Sequence, residues 1–528
     1  MDDPPHPTPG DAPAPDGSRR RTGRSGAGRA RAGPSRTRQS EAAPAYIRRA
    51  IPFYDFLDEA RLSAIEEQAD WLIQEVGLEF REDPKALEIW RAAGADVAET
   101  RVRLPRGMAR SLCQTAPAEF TQHARNPARS VRIGGTNQVF APVYGPPFVR
   151  DLVGGRRYGS LEDLENLVRL TQMLPSLHHS GLMTCEPCDI PVNKRHLDVV
   201  YAHMRLGDKP HLGAIVEQER AEDSVAMARI LHGAVGFEER CSIMGNVNTN
   251  SPLLVDKVVT QAIQTYCGAG QGIVVAPFIL SGAMGPVTTA GSIAQALAEA
   301  MMCCAFSQLV RPGAPFVLGN FLSSMNLRSG APTFGMPEPV MSHFTIGQLA
   351  RRLGVPLRCG GSLTASKIAD AQAAAESADS MLSTALAGSH FTLHSAGWLE
   401  GGLCTGFEKL VLDADRLGAY QVMLQGLDVD AQTLASGAFE DVEPAGHFLG
   451  SAHTMAHYET AFYEAALSDS ESCEQWEERG ARDSLTRAHE RWTGLLAAYE
   501  PPPIDPGIDE ELRDFVARKK TAKPDAWY

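Results

Sequence analysis

The sequence predicts an α/β protein built on a (β/α)8 TIM barrel, with a mixed N-terminal cap and a C-terminal helical region. Three observations carry this reading. From residue 138 short apolar runs alternate with long helical stretches, and eight such runs can be counted. Alternation of this kind gives a parallel sheet with right-handed crossovers, and eight units close into a barrel. Finally, Tyr144-Gly145-Pro146-Pro147 follows the first run where an open dinucleotide-binding sheet would carry G-x-G-x-x-G.

Residues 1–45 are rich in Pro, Gly, Ala, Ser and Arg, with almost no large apolar side chains, and are expected to be a disordered tail. Residues 46–135 form the expected cap. Within it Phe56, Leu57, Ile65, Ala69, Leu72 and Val76 recur at helical spacing up to Gly77, and Leu87 and Trp90 mark a second helix before Gly94. Residues 136–410 are the expected barrel. Its strands are placed at 139–144, 177–183, 211–216, 241–247, 272–277, 315–319, 356–360 and 390–394. Helices are placed between them at 161–173, 193–206, 218–232, 253–267, 289–310, 340–353 and 366–387. Residues 411–528 read as helical, with a last short helix at 509–519 after Pro501, Pro502 and Pro503.

Bulk properties narrow the function. The chain has 528 residues, 43% hydrophobic and 22% charged, as ordinary globular proteins have. A formal net charge of −14 disfavours binding to nucleic acid or an anionic membrane. No segment is read as reaching the roughly 20 apolar residues of a membrane span. The cluster Arg19-Arg20-Arg21 is followed by no apolar stretch, so it is not read as a secretory signal. Ten cysteines are scattered, several inside apolar runs (Cys267, Cys303, Cys304), which predicts a reducing, cytoplasmic setting without a disulfide framework.

Barrel enzymes place reactive groups at the C-terminal ends of strands. Tyr144 and His394 end the first and eighth strands, neighbours in a closed barrel, so both can reach one bound molecule; a histidine that merely caps the barrel is the structural alternative. Asn246 and Asn248 are two apart, which puts both on one side of an extended strand end; an Asn-x-Asn-Ser-Pro run is also turn chemistry. The predicted mouth carries Phe278, Phe321, Phe334 and Trp398, whose faces attract cations by up to about 2 kcal/mol each when desolvated. Cys185-x-x-Cys188 suggests zinc, yet no second C-x-x-C and no H-E-x-x-H supplies further ligands, so no metal is expected unless a histidine from another strand joins them. G-x-x-x-x-G-K-[ST] and G-x-S-x-G are both absent, which lowers nucleotide hydrolysis and α/β-hydrolase chemistry.

Several segments resemble the trimethylamine methyltransferase family, in the branch without pyrrolysine. They are Ser329 to Glu338 (SGAPTFGMPE), Gly361-Ser362 with Ser366-Lys367, Asp370-Ala371-Gln372 and Glu376, His394 to Leu399 (HSAGWL), and His447-Phe448-Leu449 with His453-Thr454. The resemblance spans about residues 46 to 520. It implies a (β/α)8 barrel that moves a methyl group from a quaternary amine (glycine betaine, proline betaine or a carnitine-like compound) to the Co(I) corrinoid, a cobalamin, of a separate partner protein. It implies no tightly bound cofactor. By position, Tyr144, Asn248 and His394 resemble the substrate-holding residues of the betaine branch, and Gly361 and Ser362 are expected to face the corrinoid. Assembly with further copies of the chain is expected too. Two alternatives remain: a zinc-dependent corrinoid-linked methyltransferase using Cys185 and Cys188, and a betaine-binding barrel without turnover.

Overall fold

The computed structural model describes residues 44–527. The tail expected at 1–45 lies outside these residues apart from its last two positions. Seven short strands form a curled parallel sheet: β1 (Asn137–Phe140), β2 (Leu212–Gly213), β3 (Met244–Val247), β4 (Gly272–Val275), β5 (Phe316–Gly319), β6 (Leu357–Gly360) and β7 (Phe391–Leu393). They pair in the order β2-β3-β4-β5-β6-β7-β1, all in parallel. Helices alternate with them: α1 (Leu161–Met173), α2 (Arg195–Leu206), α3 (Gln218–His232), α4 (Lys257–Gly268), α5 (Thr289–Val310), α6 (Pro337–Leu353), α7 (Ala371–Ala387) and α8 (Phe407–Leu424). All seven strands are buried throughout, as sheets covered on both faces must be.

The expected second strand, 177–183, is not a strand. Its backbone nevertheless bridges the gap between β1 and β2. His178 N and His179 N both donate to Phe140 O, at 2.9 and 3.2 Å, while Ser180 N donates to Pro210 O at 2.8 Å and Leu212 N to Gly181 O at 2.9 Å. Two amides sharing one carbonyl, and a left-handed Gly181 (φ +72°), turn the chain instead of extending it. The turn is closed by Gly181 N donating to His179 Nδ1 at 2.9 Å. The buried Lys209 holds this corner. Its Nζ donates to the carbonyls of Thr171 (2.6 Å), Leu174 (3.0 Å) and Leu177 (2.7 Å), placing an amino group at the C-terminal end of α1 whose pKa burial lowers to about 7.

Helix α5 corrects a second expectation. Its 22 residues are long and apolar enough to cross a membrane, yet most of them are buried inside the fold. The cap supplies the cover. Trp90 packs on Phe306 with centroids 5.7 Å apart, and Cys113 Sγ lies 3.3 Å from Met301 O. A helix apolar on all sides is here a core helix sandwiched between cap and sheet.

Within the cap, the helix Glu59–Trp71 runs into a wider turn, Leu72–Val76, and stops at Gly77. There φ is +75° and a Cβ would sit 2.7 Å from Val102 O, so only glycine fits. The hairpin Glu119–Gln122 and Val131–Gly134 continues the central sheet beyond β1. At the other end of the strands, two small sheets grow from the loops. Phe278–Ser281 pairs with Phe321–Met325, and Trp398–Leu399 joins Cys404–Gly406, Phe148–Asp151 and Gly155–Tyr158. The final helix, Pro506–Thr521, docks against α2 and α3 through Lys520–Asp198 (2.5 Å) and Lys519–Asp223 (2.7 Å).

Candidate functional site

The chain leaves β7 at His394 in the left-handed region, φ +60°. That turn lets His394 N reach Pro142 O at 3.1 Å while Ser395 N reaches Ala141 O at 2.9 Å, so the segments after β7 and β1 are bonded to each other beyond the sheet. Tyr144 N donates to His394 Nδ1 at 3.2 Å. A ring nitrogen that accepts carries no proton, so the neutral imidazole holds its hydrogen on Nε2. Burial pushes the His394 pKa well below the usual value, and the nearby Arg358 charge pushes the same way. His394 is therefore a fixed neutral donor.

Four rings from three loops gather around it. Phe321 stacks on His394 with centroids 5.4 Å apart, and Trp398 meets His394 edge-on at 4.5 Å. Phe334 meets Trp398 at 5.6 Å, and Phe278 meets Phe321 at 5.0 Å. Phe334 and Trp398 are buried, whereas Tyr144, Phe278 and Phe321 are partly exposed and supply the accessible aromatic surface. Phe278 and Phe321 are register partners in the small sheet of the loops, which is how residues 43 positions apart come together. Trp398 Nε1 donates to Thr364 O at 3.1 Å. The Glu376 carboxylate holds that loop by accepting from Thr364 Oγ1 (2.6 Å) and Ala365 N (2.7 Å). Burial pushes the Tyr144 phenol up to about 12, with a further push from Glu186, so it stays protonated. Glu186 is itself paired with Arg195 at 3.3 Å.

The two asparagines do not share an environment. Asn246 is buried with its Oδ1 unpartnered, while Asn248 is exposed. Behind them the buried Glu299 pins the following loop, accepting from Thr249 Oγ1 (2.5 Å), Ser251 Oγ (2.6 Å) and Leu253 N (2.8 Å). Gly361 and Ser362 are both buried. A Cβ on Gly361 would lie 2.6 Å from Ser395 Cα, and Ser362 Oγ donates to Ser395 O at 2.7 Å. Their residue types are thus set by packing between neighbouring chain segments; Ser362 also lines a cavity of about 780 Å³ between α7, α8 and the returning C-terminal chain. Cys185 is buried and Cys188 half-buried, and burial raises both thiols. Among the described residues no group of three or more His, Cys, Asp and Glu side chains is arranged to hold a metal.

Sequence reasoning missed Arg358. It lies in β6 and is almost wholly buried. Its Nη1 donates to Asn320 O at 3.1 Å, its guanidinium sits 5.0 Å from the Phe321 centroid, and its Nε has no partner. Burial lowers its pKa to about 10, so it remains a cation at neutral pH. Among the described residues no carboxylate pairs with it. The signal was available: a lone arginine inside the apolar run Pro356–Gly360 is a charge placed where a strand is buried on both faces.

Comparison with known proteins identifies the family. A family model described as trimethylamine methyltransferase matches residues 20–524. A glycine betaine methyltransferase of Desulfitobacterium hafniense (strain Y51) is 37% identical over 470 residues, covering 89% of this chain and 98% of that protein. A trimethylamine methyltransferase from another strain of Desulfitobacterium hafniense is 27% identical, covering 87% and 93%. Among solved structures, the monomethylamine methyltransferase of Methanosarcina barkeri aligns with a TM-score of 0.45 at 11% identity, covering 88% and 96%. The extent of the family match and the length shared with the glycine betaine enzyme decide the assignment: the chain belongs to the trimethylamine methyltransferase family.

Proposed function

We propose that this protein transfers a methyl group from a betaine, a quaternary amine that also bears a carboxylate, to a corrinoid carried by a separate protein. The fold reading that goes with it is a (β/α)8 barrel in which 177–183 closes the gap between β1 and β2. The observation that carries the substrate class is Arg358. A buried guanidinium without a carboxylate costs several kcal/mol unless an anion meets it, and here it sits beside aromatic faces suited to a cation. The guanidinium, itself against the Phe321 ring, would meet the carboxylate, and the partly exposed rings of Tyr144 and Phe278 are the candidates for the trimethylammonium group. His394 adds a neutral Nε2–H donor, and the unpartnered Oδ1 of Asn246 adds an acceptor.

The chemistry asks little of the protein. The corrinoid, when presented by its partner, supplies the electron pair that takes the methyl group. The electrons of the broken C–N bond stay on nitrogen, so the amine leaves neutral and no proton donor is needed. The residues here orient the betaine, exclude water and hold its charges. That fits a neutral His394, a protonated Tyr144, and a nearby Glu186 already engaged by Arg195. The zinc alternative would need ligands beyond Cys185 and Cys188.

The test supplies free Co(I) cobalamin and a panel of amines: glycine betaine, proline betaine, carnitine, choline, tetramethylammonium and trimethylamine. Methylcobalamin absorbance is expected with one or more carboxylate-bearing quaternary amines. Binding without turnover, for every amine and with corrinoid proteins as acceptors, favours the non-catalytic barrel. Activity that follows one bound zinc per chain favours the metal-dependent enzyme.

A further inference from the structure

We propose that Lys409 and Asp413, a buried ion pair in α8, are positioning residues for the candidate site: together they set the turn from His394 to Trp398 and lock it to the loop after β6. The inference rests on the betaine reading above, since that reaction supplies its kinetic test.

Lys409 and Asp413 stand four residues apart in α8, 2% and 7% exposed, with Nζ paired to Asp413 Oδ1. Asp413 Oδ2 accepts from Gly397 N at 2.9 Å. Gly397 lies within the turn at φ +94°, and a Cβ there would sit 3.3 Å from both Leu410 Cδ1 and Val143 Cγ1. Around it the turn is held by backbone partners: His394 N by Pro142 O, Ser395 N by Ala141 O, Ala396 O by Val143 N and Gly397 O by Gly406 N. Gly397 N differs from these groups in having a side chain as its partner, so α8 grips the turn there through Asp413. On the other side of the pair, Lys409 Nζ donates to Ser377 Oγ at 2.9 Å, and Ser377 Oγ donates to Ser362 O at 3.1 Å. Ser362 Oγ in turn donates to Ser395 O at 2.7 Å. These bonds close a circuit through Gly397, Asp413, Lys409, Ser377, Ser362 and Ser395, which joins the loops after β6 and β7 to α7 and α8.

Stability alone does not call for charge at this place. Burying two ions is costly, and apolar residues of similar volume often hold a core as well or better. Burial pushes the Asp413 carboxyl up, against the pull of Lys409 and Gly397 N. An apolar pair, however, offers Gly397 N no acceptor and Ser377 Oγ no donor. Two other bonds orient the rings, Tyr144 N to His394 Nδ1 and Trp398 Nε1 to Thr364 O. The backbone between those rings is left to the circuit, the kind of support that keeps site groups in their productive geometry.

Two double variants separate positioning from simple stapling of helices. Lys409→Met with Asp413→Leu removes every bond of the pair. Lys409→Gln with Asp413→Asn removes the charges but keeps an acceptor for Gly397 N and a donor for Ser377 Oγ. Methyl transfer from glycine betaine to Co(I) cobalamin is measured well below each melting temperature, beside hydrogen exchange of residues 394–398. The apolar pair is expected to lose protection in that segment and to lower kcat by roughly tenfold to a hundredfold; the amide pair is expected to recover most of both. Ser377→Ala cuts only the link to Ser362 and serves if the apolar pair does not fold; a smaller fall in kcat at an unchanged melting temperature is expected. A melting temperature that falls while kcat and exchange stay at their unaltered values marks a staple and overturns the proposal. So does an amide pair as impaired as the apolar one. An unaltered chain that transfers methyl from no betaine overturns the betaine reading and this role with it, an outcome distinct from an active chain indifferent to the variants.

Discussion

Tyr144 N donates to His394 Nδ1 at 3.2 Å, and that one backbone bond decides which nitrogen of the ring carries the proton. With Nδ1 used as an acceptor and the pKa held well below the usual value by burial and by Arg358, His394 stays neutral across the physiological range. Methyl transfer is therefore expected to show no inflection from this residue between about pH 6 and 8. His394→Gln keeps a donor and is expected to lower affinity less than His394→Ala, which loses a bond worth about 1.5–3 kcal/mol, or roughly tenfold to a hundredfold. An inflection near pH 6.5 that vanishes in His394→Gln would show the ring titrating, and the neutral-donor role would fail.

Glu299 makes a different prediction. Its buried carboxylate accepts from Thr249, Ser251, Leu253 and Gln295, all at 2.9 Å or less. Glu299→Gln places an NH2 group among four donors. A loss of about 1–3 kcal/mol in stability is expected, with a raised KM because the loop bearing Asn248 loosens. Thermal melting and saturation curves measure both. If neither changes, the carboxylate is not what fixes this loop.

Acid stability follows from the buried imidazoles. His178, His203 and His343 have pKa values of about 3, and His211, His232 and His390 of about 4, against 6.5 for a free ring. In every case the first cause is desolvation, which disfavours the charged form. The unfolded chain thus binds protons that the folded chain refuses. The associated stability is full above about pH 6.5 and is lost as pH falls toward 4. Urea unfolding between pH 7 and 4.5 is expected to show a steep decline, with several protons taken up on unfolding. A flat profile would contradict the burial of these rings. Carboxylates held low against burial by hydrogen bonds and ion pairs, Asp151 by Gly154 N and Arg157 and Asp223 by His196 and Lys519, give way only at lower pH.

How much of this could be read beforehand depended on range. Helices α1, α3 and α5 match their expected limits to the residue, because local signals end them: the capping box of Ser160 and Asp163 starts α1, and Gly233 closes α3. The segment 177–183 was misread because Leu177, Leu182 and Met183 look like a strand while the turn is made by His179 and Gly181 at a distance of two residues. The pairing of Phe278 with Phe321 and the stacking of Phe321 on His394 depend on loops whose path only the fold sets. Arg358 is not marked by the rule that reactive groups follow the strand ends, because it lies within a strand.

Arg358 carries the most discriminating prediction. If its partner is the carboxylate of a betaine, Arg358→Met should act on substrates according to their charge and not on all equally. For glycine betaine the lost ion pair is buried, so about 2–5 kcal/mol is expected, a fall in affinity of at least about thirtyfold. Choline or tetramethylammonium, which lack the carboxylate, should lose little and can gain, since the repelling cation is gone. The same substitution removes an unpaired buried charge and fills its space with an apolar side chain, so the melting temperature should hold or rise. Arg358→Lys keeps the charge but loses the planar fork, and should fall between the two for betaines. A structural arginine behaves differently: the loss of its bond to Asn320 O then outweighs the relief of removing a buried charge, so the melting temperature falls and every amine is weakened alike. Measuring binding of glycine betaine and tetramethylammonium beside the thermal melts of both variants separates the two roles, and a uniform loss across the panel removes the argument for a carboxylate-bearing substrate.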